Sequence, residues 1–84
     1  MNIYIGNISY GMTAEEIKAV FTPFGIVLNV RVIVDKQTGR SKGYAFVEME
    51  NEEEALNAIK SINETEVNGR KVKVNSAHRN TINT

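Results

Sequence analysis

The 84-residue chain has no cysteine, one proline and one histidine, and its ten Lys plus Arg are balanced by ten Asp plus Glu. Each scarcity removes a class of function. Without cysteine there are no disulfides, no thiolate metal sites and no cysteine nucleophile, a composition that fits a reducing compartment. His78 is the sole histidine and no metal-ligand types cluster, so neither a metal site, nor a cofactor, nor a general acid–base pair is expected, and the chain reads as a non-enzyme. The longest apolar stretch, 26–34, is broken by Asn29 and Arg31 and is too short to cross a bilayer. The opening Met1-Asn2-Ile3-Tyr4-Ile5-Gly6 lacks the basic region and long apolar run of a signal peptide, so a cytoplasmic location is expected. Zero net charge argues against binding of nucleic acid by bulk electrostatics.

What is present is enough for one small domain. A chain of this size buries about 60% of its unfolded surface, which supports a single core. Hydrophobic and charged contents of 42% and 24% are ordinary for a globular domain. The charges are not evenly spread. Glu50, Glu52, Glu53 and Glu54 fall together, whereas Arg31, Lys36, Arg40, Lys42, Lys71 and Lys73 lie elsewhere, so a folded chain can be acidic on one side and basic on another.

Periodicity and turn chemistry divide the chain into six main elements. Ile3 to Ile8 alternates, with Ile3 and Ile5 on one face of a strand and Tyr4 on the other. Thr13-Ala14-Glu15-Glu16 reads as a capping box, and Ile17, Val20, Phe21 and Phe24 follow at helical spacing until Pro23 and Gly25 stop the helix. The stretch 26–34 is a β-branched strand with Val30 and Val32 inward and Arg31 and Ile33 outward. The polar loop 35–41 has one glycine, Gly39, and lacks the spacing of a phosphate-cradling loop; its Lys36 and Arg40 could touch a phosphate backbone or simply be solvated. Asn51 can cap a second helix, whose first turn favours Glu52, Glu53 and Glu54 and whose buried stripe is Ala55, Leu56, Ile59 and Ile62. Asn68-Gly69 between 65–67 and 70–72 is a hairpin signal. The last strand is expected over 71–75, with Val72 and Val74 inward and Lys71, Lys73 and Asn75 outward. Residues 78–84, carrying His78 and Arg79, form an expected flexible tail behind a domain of residues 1–77. Asn7-Ile8-Ser9 and Asn63-Glu64-Thr65 fit the glycosylation pattern, but with no secretory signal both are read as accidental.

The stretch Lys42-Gly43-Tyr44-Ala45-Phe46-Val47-Glu48-Met49 carries the functional signal. Ala45, Val47 and Met49 take one face of a strand, and Tyr44, Phe46 and Glu48 take the other. A flat ring at a wet surface can stack on a nucleobase, although two rings alone fit ordinary cross-strand packing equally well. The octamer resembles the RNP1 motif of the RNA recognition motif family, K/R-G-F/Y-G/A-F-V-x-F/Y, in six of its seven specified positions. Met49 stands where an aromatic is usual, on the core side. Ile3 to Ile8 resembles that family's RNP2 motif, an apolar hexamer with an aromatic second, here Tyr4.

The strand and helix order, with the resemblance, implies an α+β, ferredoxin-like βαββαβ sandwich: a four-stranded antiparallel sheet with both helices on one face. The bare face would bring together Tyr4, Tyr44, Phe46, Lys42, Arg31, Glu48, Lys73 and Asn75. The implied function is binding of single-stranded RNA, or single-stranded DNA, by a monomer with no membrane and no small-molecule substrate. Bases would stack on Tyr4, Tyr44 and Phe46, Lys42 and Lys73 would meet phosphates, and Glu48 and Asn75 would read base edges. The alternative is a protein–protein interaction module on the same fold, which neutrality and the acidic second helix keep open.

Overall fold

The computed structural model describes residues 1–39 and 41–77, with backbone alone at Ser41 and Lys42. Its elements are β1 (Asn2–Gly6), α1 (Ala14–Phe21) with a 3₁₀ turn at Thr22–Phe24, β2 (Val27–Val34), β3 (Ser41–Met49), α2 (Glu52–Ile62), a short ribbon of β4 (Glu66–Val67) and β5 (Arg70–Lys71), and β6 (Lys73–Ala77). The large sheet has the order β2-β3-β1-β6, antiparallel throughout.

Local chemistry starts both helices, the polar loop and the ribbon turn where the sequence places them. The capping box forms in full: Glu16 N–H donates to Thr13 Oγ1 at 3.2 Å, and Thr13 N–H donates to Glu16 Oε1 at 2.9 Å. Asn51 Oδ1 accepts from Glu54 N–H at 2.9 Å to open α2. In the polar loop Asp35 Oδ1 accepts from the N–H groups of Gln37 and Thr38 at 2.8 and 3.3 Å, which turns the chain toward β3. Asn68 and Gly69 take φ of 52° and 82°, the doubly left-handed turn that suits the right-handed twist of the ribbon.

Both helices lay their apolar stripes on one face of the sheet. Ile17 and Phe21 from α1 and Ala55, Ala58 and Ile62 from α2 join Ile3, Ile5, Ala45, Val47, Met49, Val72 and Val74 in one cluster. Met49 is fully buried there, so the departure from the RNP1 pattern concerns packing alone. Val30 and Val32 pack against the same cluster, as their alternation predicts.

Two expectations are corrected. Leu56 is not in the buried stripe of α2 but 49% exposed, and Ala58 takes the place; residues 55, 58, 59 and 62 share a face at helical spacing, and Leu56 lies off it. The last strand does not begin at Lys71. Val72 N–H donates to Thr65 O at 3.0 Å and Val72 O accepts from Glu64 N–H at 2.8 Å, so 71 and 72 stay with the ribbon, and β6 runs instead from Lys73 to Ala77. Lys71 is therefore off the sheet face. Asn7 secures the junction: its Nδ2 donates to Lys71 O at 2.7 Å, and Arg70 Nη2 donates to its Oδ1 at 2.7 Å.

Candidate nucleic-acid interface

The helix-free face is set by strand register. Across the sheet the residues fall in rows: Arg31, Phe46, Tyr4 and Asn75 are successive Cα partners, as are Asn29, Glu48, Asn2 and Ala77, and as are Tyr44, Gly6 and Lys73. Partners in a row stand about 5 Å apart and the rows about 7 Å, close to the dimensions of a stacked base and its sugar.

The three rings form a triangle. Tyr4 lies 5.8 Å from Tyr44 and 5.9 Å from Phe46, and Tyr44 lies 6.1 Å from Phe46. Their planes are inclined by 37°, 59° and 87°, so they do not make one flat shelf; each ring offers its own surface. All three are half-buried, with their backs on the sheet and part of each ring in solvent. Tyr4 reaches Tyr44 because it leans along its own strand over Gly6. A methyl group built on Gly6 would come within 2.7 Å of Tyr4 Cζ and 2.9 Å of Cε2, closer than side chains tolerate. The absent side chain at Gly6 makes the space in which the ring lies.

The polar partners differ in readiness. Arg31 is exposed on edge strand β2 beside Phe46, and Asn75 is exposed on β6 beside Tyr4. Lys73 is on the face, but its Nζ is 3.4 Å from Glu64 Oε2, an ion pair of two largely exposed side chains that a phosphate could displace. Lys42 lies on β3 two residues before Tyr44; its side chain is outside the described atoms. Glu48 is half-buried on the face, and its carboxylate makes no hydrogen bond or ion pair among the described residues. Arg40, His78, Arg79 and the expected tail also lie outside the described residues. Lys36 sits exposed in the loop before β3.

Three residues of the face were not singled out from sequence. Asn2 and Asn29 flank Glu48 in its row, and Gly6 underlies Tyr4. The alternation already held Asn2 and Asn29, two positions before Tyr4 and Arg31. The opposite side of the molecule is acidic: Glu15 and Glu16 occupy the first turn of α1, and Glu52, Glu53 and Glu54 that of α2. Acidic clusters of this kind disfavour a polyanion on the side that carries them.

A family model described as the RNA recognition motif matches residues 3–73. RbpB of Nostoc sp. strain PCC 7120 is 46% identical over 77 residues, which cover 92% of this chain and 75% of RbpB. The crystal structure of RNA binding protein PG1 superposes with a TM-score of 0.89 at 44% identity, covering 92% of this chain and 93% of PG1. The structure of the Rna15 RRM with bound RNA (GU) superposes with a TM-score of 0.80 at 36% identity, covering 90% and 81% of the two chains.

Proposed function

The chain belongs to the RNA recognition motif family, and from that premise we propose that it binds single-stranded RNA across the helix-free face of its sheet. The observation that carries this is the triangle of Tyr4, Tyr44 and Phe46, exposed in part on a face that no helix covers among the described residues. Duplex RNA hides its base edges in a deep groove, so an open face of this kind selects splayed bases. A solved relative in the same fold holds RNA.

Tyr4, Tyr44 and Phe46 supply the stacking surfaces. Each stacked base contributes about 1–3 kcal/mol by alanine substitution, and the contributions do not simply add. Arg31, Lys42 and Lys73 meet phosphates, and Asn75 and Glu48 meet base edges. Roughly three stacks and two or three phosphate contacts correspond to micromolar affinity, about 8 kcal/mol. With so few phosphates neutralised the salt dependence is shallow, near −0.7 per contact. Stacking outweighs charge, which suits a chain of zero net charge. The function is binding, with no chemical step assigned to any residue. We take the protein to act as a cytoplasmic monomer; sedimentation at twice the chain mass would overturn the second part.

The test is tyrosine fluorescence during titration with mixed-sequence single-stranded RNA, for wild type, Phe46→Ala and Tyr4→Ala. Quenching that weakens tenfold or more in both variants is expected. Folded wild type that binds nothing at low salt would overturn the proposal, and binding that survives both substitutions but vanishes with salt would move the site to the charged loop.

A further inference from the structure

A carboxylate on a surface that meets RNA is a cost unless the ligand offers something in return. Glu48 is half-buried on that face, next to Phe46 along β3, and carries no internal partner among the described residues. The nearest side-chain cation by register is Arg31, diagonal to it beside Phe46, and no ion pair joins the two; the Met1 ammonium, one position along the ladder, donates to Met49 O at 2.8 Å. Its two cross-sheet neighbours are neutral amides: Asn29 on β2 and Asn2 on β1 are both its Cα partners. An acceptor thus stands between two side chains that each offer an N–H donor.

We propose that this row, Asn29-Glu48-Asn2, selects guanine for the base stacked on Phe46, an inference that rests on the RNA-binding reading above. An ionised carboxylate only accepts hydrogen bonds, and two adjacent oxygens call for two adjacent donors. The Watson–Crick edge of guanine has them, N1–H beside N2–H₂, with the O6 acceptor next in line for an asparagine amide. Uracil sets its single N3–H between two carbonyl oxygens, which a carboxylate repels. Adenine and cytosine offer one amino group beside a ring nitrogen that is itself an acceptor. Guanine alone satisfies the whole row, and a base that does not fit leaves the carboxylate desolvated and unpaired.

The experiment measures anisotropy-detected binding of uridine tracts carrying guanine, adenine, cytosine, uracil or inosine at one central position. Wild type is expected to favour guanine by about tenfold, the low end of what a bidentate base contact discriminates. Inosine, which lacks the 2-amino donor, loses most of that preference. In Glu48→Gln, checked for an unchanged melting curve, guanine and inosine bind within about twofold of each other. If wild type binds all five tracts within twofold, the guanine inference fails while RNA binding stands. If the guanine preference persists in Glu48→Gln, the reader lies elsewhere and the inference fails again. If no tract binds wild type at low salt, the RNA-binding reading itself is overturned, and this inference with it.

Discussion

Replacing Gly6 by alanine should disable RNA binding without unfolding the protein. Gly6 lies within β1, where its backbone is not among the left-handed glycines, so alanine meets no backbone obstacle. It meets Tyr4: the added methyl would approach Cζ to 2.7 Å and Cε2 to 2.9 Å, and a ring on a rotatable side chain yields by swinging outward. That breaks the ring contacts to Tyr44 at 5.8 Å and Phe46 at 5.9 Å. Each is worth about 0.5–1.5 kcal/mol beyond area burial. Removing a glycine restores about 0.4–1 kcal/mol through the unfolded chain. The net destabilisation is near 1 kcal/mol, a drop in Tm of roughly 4–8 °C for a domain of this size. Binding loses the Tyr4 stack, about 1–3 kcal/mol, so Kd rises by roughly five- to 150-fold. Because both changes remove the same ring from the same place, the double variant Gly6→Ala/Tyr4→Ala should bind no worse than Tyr4→Ala alone. Calorimetric melting and a fluorescence titration check both halves. A folded Gly6→Ala that binds within twofold of wild type, or a double variant whose losses add, would refute the reasoning.

Asn7→Ala removes the bonds to Lys71 O and from Arg70 and leaves alanine at φ 58°, so about 2 kcal/mol and roughly 8–16 °C of Tm should be lost; Asn7→Gly, free of the backbone cost, should lose about 1 kcal/mol less by thermal melting. Glu64→Gln frees Lys73 from an ion pair whose members are 57% and 54% exposed, so stability should stay within about 0.5 kcal/mol. RNA affinity should rise in that variant and its salt slope steepen by up to about 0.7, and an unchanged slope would remove Lys73 from the phosphate contacts.

Much of this molecule is legible in local pattern. Period-two alternation assigns Ile3, Ile5, Ala45, Val47 and Met49 to the core and Tyr4, Tyr44 and Phe46 to the other face, and burial agrees at every one of them. Thr13 with Glu16, Asn51 with Glu54 and Asn68 with Gly69 are contacts between near neighbours, so their spacing alone foretells them. Alternation gives the side of a strand on which a residue stands, however, and not the residue it stands beside. That is decided by ladders between strands distant in the chain, 19 positions from Asn29 to Glu48 and 46 from Asn2 to Glu48, and only they put Asn2 and Asn29 on either side of Glu48. The same holds for Lys73, whose partner Glu64 reaches it through the ribbon, and for Val72, whose bonds to 64 and 65 delay the last strand by two residues. Leu56 departs from its pattern because an apolar residue beside a buried stripe looks like part of it until packing fixes the helix phase. The lean of Tyr4 over Gly6 belongs to neither strand pattern nor composition. A side chain's direction along its strand is a tertiary choice, made here by the space that a missing Cβ leaves and by the two rings waiting beside it.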